Sequence, residues 1–131
     1  MNALAQAIFS TLAGGTALTS LLGGTAIYQS QAPDGTPLPY CVYSKQAGGP
    51  ENIDPSDRRD LYYFVRGYAT SAKQAGEIDE AVDNLLHRHN IGVTGYTVIW
   101  CARETDLESV ENPPNNAPVY MAGALYRIRI V

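Results

Sequence analysis

One stretch limits the fold more than any other: Leu61 to Leu86, where a strand pattern passes almost directly into a helix pattern. Leu61 to Ala69, LYYFVRGYA, is dense in aromatic and β-branched residues, the composition of a strand. Successive side chains of a strand point to opposite faces, so Leu61, Tyr63 and Val65 share one face and Tyr62, Phe64, Arg66 and Tyr68 the other. Both faces are largely apolar, which predicts a central strand, or a strand with one face used by another subunit. Ser71 to Gln74 then matches the S-x-x-Q capping box. Ala75, Ile78, Val82 and Leu85, widened by Leu86, step by three and four into a buried stripe. Lys73, Glu77, Glu80, Asp83 and Asn84 fall off it. His87, Arg88 and His89 are expected in the last turn, where cations suit the negative end of the helix dipole, and Asn90 and Gly92 can end the helix.

The remaining elements arrange themselves around this pair. Leu4, Ala5, Ile8, Phe9 and Leu12 predict a first helix opening at Asn2 and stopped by Gly14-Gly15, and Ala17 to Leu22 a further helical turn. A short strand, Ala26 to Tyr28, leads into a turn marked by Pro33, Asp34-Gly35, Pro37 and Pro39, then a strand from Pro39 to Lys45. Ala47 to Asp57 reads as an exposed loop. Tyr96 to Arg103 is a strand with Tyr96, Val98, Trp100 and Ala102 alternating against Thr97, Ile99, Cys101 and Arg103. Glu104 to Pro118, acidic at its root and carrying Pro113-Pro114-Asn115-Asn116, reads as a second exposed loop. Val119 to Val131 is the last strand, with Tyr126, Ile128 and Ile130 inward and Leu125, Arg127 and Arg129 on the other face. This order predicts a two-layer α+β domain spanning residues 1–131: one mixed or antiparallel sheet of four to five strands, with two main helices packed on one face.

Composition bears mainly on what the chain can bind. At 131 residues it can bury a single core. Only 17% of residues are charged, so part of the surface must be covered by uncharged polar groups, glycine or neighbouring chains. Nine tyrosines fit half-buried surfaces such as interfaces, and equally fit ordinary strands. A net charge of −4 argues against a grip on nucleic acid. Met1 to Ala26 is apolar but has no lysine or arginine before its apolar part and is broken by Gly14-Gly15 and Gly23-Gly24. It therefore reads as neither a signal peptide nor a membrane span, and the protein as cytosolic and soluble.

No catalytic constellation emerges. His87 and His89, two apart on a helix, point to different faces and are poorly placed to share a metal. The glycine doublets lack the phosphate-loop pattern, and no lysine or arginine occurs from Met1 to Ser44. Cys41 and Cys101 sit among apolar strand neighbours, which predicts reduced core thiols rather than nucleophiles. Glu104, Asp106, Glu108 and Glu111 lack the EF-hand pattern and its glycine, leaving a solvated acidic segment. The expectation is a protein that is not an enzyme and uses no metal or cofactor.

As an ordered set, these features resemble the tail terminator, or tail completion, proteins of long-tailed bacteriophages. The residues that carry the resemblance are the N-terminal helix leading to Ala26-Ile27-Tyr28, and the Ala32-Pro33 to Pro39-Tyr40 turn entering Cys41-Val42-Tyr43. The strand Leu61 to Ala69 running into the helix from Ser71, and the two final strands, complete it. The resemblance implies a homo-oligomeric ring, expected to be a hexamer, at the head-proximal end of the tail tube. There it would stop tube polymerisation and offer a surface to the head–tail connector. The partners implied are the tail tube protein, the connector protein and DNA passing through the lumen, with no membrane. The location implied is the virion neck after assembly in the host cytoplasm. Asp54, Asp57, Arg58, Arg59, Glu104, Asp106, Glu108 and Glu111 are the expected partner-facing or lumen-facing residues. A connector adaptor of the neck is the competing reading, and a small cellular binding domain a more distant one.

Overall fold

In the computed structural model, which describes residues 2–52 and 57–131, helices pack on one side of a five-stranded mixed sheet. In chain order the elements are α1 (Asn2–Ala13), α2 (Thr16–Leu22), β1 (Ile27–Gln29), β2 (Tyr40–Pro50), β3 (Arg59–Ala69), α3 (Ala72–Leu86), β4 (Val98–Glu111) and β5 (Val119–Ile130). The strands lie in the order β1-β2-β3-β5-β4. The strand with two apolar faces is thus the central one, paired along its whole length with β2 and β5.

The core is built from the odd-numbered side chains of β3 and the even-numbered ones of β5. Leu61, Tyr63 and Val65 pack with Tyr126, Ile128 and Ile130 against Leu4, Ile8, Leu12, Ile78 and Val82 of the helices. At Gly67 the helix α3 comes so near β3 that a Cβ would stand 2.4 Å from Cγ2 of Ile78. Only glycine fits there. No single helix among the described residues is long and apolar enough to cross a membrane; α1 and α2 meet at 79° and bury their apolar sides in this core.

Polar side chains fasten α3 to the sheet. Arg103 of β4 makes a bidentate pair with Asp79 at 2.8 and 3.0 Å and reaches Asp106 at 2.6 Å and Asp83 at 3.4 Å. The Tyr126 hydroxyl donates to the same Asp83 oxygen at 3.1 Å. Burial, and then the neighbouring Asp83 charge, hold the Tyr126 phenol well above its ordinary range. At the start of α3 the Ser71 side chain accepts from the Gln74 N–H, as the capping box requires. The reciprocal half is different: the Gln74 side-chain oxygen accepts from the Thr70 hydroxyl.

Four sequence expectations are corrected here. The strand expected to stop at Arg103 continues to Glu111, so Glu104, Asp106, Glu108 and Glu111 lie on a strand and not in a loop. An edge strand tolerates such charges because one edge of its backbone and much of its surface face solvent. Bulges between Val98 and Trp100 and between Arg103 and Thr105 interrupt the strict alternation, which is why Val98 packs towards the core while Trp100 lies on the other face. Likewise β2 runs on to Pro50 through a bulge between Lys45 and Ala47, with Gly48 at a φ of 133° close against the backbone of Asp60 and Leu61. Finally α3 ends at Leu86, with His87 as its cap and Arg88 in the left-handed region, so the histidines and Arg88 follow the helix instead of forming its last turn.

Candidate functional site

The helices leave one side of the sheet bare, and its residues are the even-numbered set of β3 with their neighbours. At one end Tyr40 stacks on Tyr68 with ring centroids 5.1 Å apart, and Tyr28 meets Tyr40 edge-on at 6.3 Å. In the middle the Arg66 guanidinium lies 4.3 Å over the Phe64 ring. At the other end Arg127 lies 5.0 Å over Trp100 and 5.8 Å over Tyr62, with Arg129 also over Trp100 at 5.7 Å. Arginine suits this position because its planar, weakly hydrated cation stacks on aromatic rings while its stem covers apolar surface.

Asp60 anchors the arginine end. Arg129 grips it with two bonds of 2.8 Å and Arg127 adds a third at 3.1 Å. These bonds, Arg129 foremost, hold the Asp60 carboxyl down at about 2 despite its partial burial. Glu51 and Glu104 flank the group at 3.8 and 3.9 Å from Arg129 and Arg127. At this end the face therefore sets three carboxylates against two guanidinium groups. Arg66 has no carboxylate partner among the described residues, and its Nε is enclosed without a hydrogen bond.

The Pro-rich segment after β1 proves to be a crossover. Strands β1 and β2 are parallel, so the chain must return to the far end of the sheet before β2 begins. It does so across the bare face, turning at Pro33 to Thr36 with Gly35 at a φ of 79°. Ser30 to Thr36 form a polar cleft of ≈ 520 Å³ with Tyr40, Val42, Arg66, Tyr68 and Glu111. This cover explains why Val42, on the outer face, is buried. Burial first, and the nearby Tyr68 and Glu111 after it, push the Tyr40 hydroxyl above its usual range.

The two edges of the sheet differ. Strand β1 covers only Cys41 to Tyr43 of β2. At the opposite edge, residues after α3 protect a short piece of β4: the Arg88 N–H donates to the Cys101 carbonyl at 2.7 Å, and His87 Nδ1 accepts from the Arg103 N–H at 3.0 Å.

The expected site residues do not form one cluster. Asp54 lies outside the described residues. Asp57 and Arg58 are exposed at the β2–β3 end, where Arg59 is half-buried with its Nε enclosed and without a hydrogen bond. The acidic residues of β4 occupy the other half of the sheet, and they divide by face. Glu104 and Glu111 sit on the bare side near Arg127 and Arg66, Asp106 is committed to Arg103, and Glu108 borders a mainly apolar cleft with Ala72, Val110 and Tyr120. Sequence reasoning missed the ring-stacked arginines as a group. Their signal was present in the alternation that places Arg66, Arg127 and Arg129 opposite the core.

Neither cysteine belongs to a reactive site. Cys41 and Cys101 are wholly buried free thiols, and burial pushes both up to about 12. Two strands separate them, about 14 Å of sheet, too far for a disulfide. Among the described residues no three His, Cys, Asp or Glu side chains gather as metal ligands would.

The aromatic and arginine face and the two unlike edges are the surfaces the sheet offers to other molecules, and the comparisons place the chain in a family. Residues 6–112 match the family model described as Tail completion protein gp17, from within α1 to the end of β4. The chain belongs to the tail completion protein gp17 family. It is thus a phage tail assembly protein and a component of the virion. Among solved structures, a chain of the "Virion of native gene transfer agent (GTA) particle" shares the fold of this tail completion protein. The TM-score is 0.76 at 16% identity, over 98% of this chain and 95% of that one. No curated protein sequence matches it. The resemblance drawn from the sequence is that of the family the chain belongs to, and the expected α+β class holds.

Proposed function

We propose that this tail completion protein forms a ring, hexameric in the simplest case, on the head-proximal end of a finished tail tube. There it ends tube polymerisation and offers the head–tail connector its docking surface. Membership of the tail completion family carries this reading. The architecture supports it in two ways. The bare face of aromatic rings and arginines has the composition of interface surfaces, which are enriched in Tyr, Trp, Phe and Arg. Opposite edges of the sheet are also unlike each other, as a head-to-tail contact that closes by rotation requires. The role is structural, with no reaction assigned to any residue.

Six copies would carry about −24 in formal charge, which would let DNA pass through the lumen without adhering. Of the eight residues singled out from the sequence, Asp57, Glu108 and Glu111 are exposed and make no side-chain bond to the described residues. We assign them, with the Arg58 and Arg59 corner, to neighbours or to the channel. Electron microscopy of a phage lacking this protein tests the function. Overlong or irregular tails are expected; tails of normal length that fail to join heads would show a connector adaptor instead.

A further inference from the structure

The large apolar side chains that stand exposed among the described residues all gather at one edge of the sheet. Ile99 (44% exposed) and Val110 (51%) lie on β4, and Tyr96 (40%) and Val131 (45%) flank its beginning, where Thr97 and Val131 exchange two backbone hydrogen bonds. Beyond Arg103 the outward backbone groups of β4, from Glu104 to Glu111, have no partner among the described residues. A long edge strand with exposed apolar side chains is a template for pairing with another chain. The opposite edge offers a complementary run. On β2 the outward groups from Ser44 to Pro50 lie past the end of β1 and are likewise unpaired among the described residues.

The two runs carry opposite charge. The β4 run holds Glu104, Asp106, Glu108 and Glu111, with Arg103 the base nearest to it. The β2 run holds Lys45, exposed and without an ion pair among the described residues. Pairing β4 with β4 would set carboxylates against carboxylates, whereas pairing β4 with β2 sets them against the lysine.

We propose that the occupant of each run is a second copy of this chain: Glu104 to Glu111 of one subunit pairs with Ser44 to Pro50 of the next, continuing the sheet across the subunit boundary. The inference rests on the ring reading above and names its seam. Directions agree with it. Each of the pairs β2–β3, β3–β5 and β5–β4 is antiparallel, so β2 and β4 run in opposite senses. A copy rotated about an axis along the strands therefore presents β4 antiparallel to β2. Stagger agrees too. Ala47, at the middle of the β2 run, is level with Ala102, whereas the middle of the β4 run is near Leu107. That offset is four residues on β5, since one residue of β4 is taken up by the bulge after Arg103. It is about 13 Å along the strands over about 19 Å across them, a tilt of about 35°, at the lower end of the range of closed barrels.

The test uses the full chain, alone and on tail tubes, weighed by native mass spectrometry. Lys45→Glu makes both runs acidic, and Glu108→Lys with Glu111→Lys removes the acidic half of the contact. Each variant alone is expected to lose at least tenfold of its assembled fraction. An equimolar mixture is expected to recover closed assemblies with the two kinds of subunit in equal number, because only unlike copies then present matched edges. Recovery on mixing also shows that both variants fold. If both variants assemble as the wild type does, or the mixture fails while both keep the wild-type melting transition, the seam is wrong and the ring stands. A wild-type protein that stays monomeric alone and on tubes overturns the ring and its seam together.

Discussion

The two faces of the sheet use arginine in opposite ways. On the covered face Arg103 is ringed by three aspartates from α3 and β4 and joins a helix to an edge strand. On the bare face three arginines lie across aromatic rings, and two of them share one aspartate. The first arrangement satisfies a charge where water is scarce, so it stabilises the fold. The second keeps flat, weakly hydrated cations over flat apolar rings, a surface stable in water and cheap to desolvate. The aspartates around Arg103 tie a helix to the sheet, whereas the rings under the other arginines belong to the face proposed above as an interface.

Substitutions can break or sharpen this contrast. The largest effect is expected beneath the covered face: Ile128→Ala removes a wholly buried side chain and should cost about 2–5 kcal/mol in urea unfolding. Arg103→Met follows at about 2–3 kcal/mol, because Asp79 and Asp83 are left near the core without their cation. A loss below about 0.5 kcal/mol would show the cluster to be surface decoration. Asp60 on the bare face should contribute less, and with a distinct pH dependence. Its carboxyl is depressed from 3.8 to about 2 in the folded state, so its contribution is present above about pH 4 and fades as pH falls towards 2. Discounted for partial exposure, that is on the order of 1 kcal/mol. The stability gap between wild type and Asp60→Asn should therefore shrink between pH 4 and pH 2, and a gap unchanged over that window would remove Asp60 as its source. Smallest is Phe64→Ser, expected to change monomer stability by under about 1 kcal/mol while impairing incorporation into tails, scored by counting infectious particles.

Much of this contrast was legible in the sequence, and the losses have identifiable causes. Period-two alternation assigned both faces of β3 and β5 correctly, because both strands are paired throughout and their apolar side chains must choose a side. The stripe of α3 and the cap at Ser71 were equally plain. What failed were the ends of strands. Nothing local says that an acidic run such as Glu104 to Glu111 will be held in a sheet; the long partner β5 decides it. Gly48-Gly49-Pro50 reads as a turn, yet β3 holds it in register through a bulge. A separate bulge, between Val98 and Trp100, shifted Trp100 relative to the expected alternation. The gathering of Asp60 with Arg127 and Arg129 had no sequence signal at all, since it joins residues far apart in the chain across two neighbouring strands.

The short stitch between the end of α3 and β4 carries a further consequence. His87 and Arg88 occupy the outward backbone groups of Cys101 and Arg103, so the helix terminus doubles as a guard on the strand beside it. Winding the last turn of α3 and masking that stretch of strand are then one event. Heating that frays the helix from its C-terminal end would also lengthen the adhesive edge backwards towards Ile99. Clumping of the warmed protein should then follow the unravelling of that turn rather than the melting of the core.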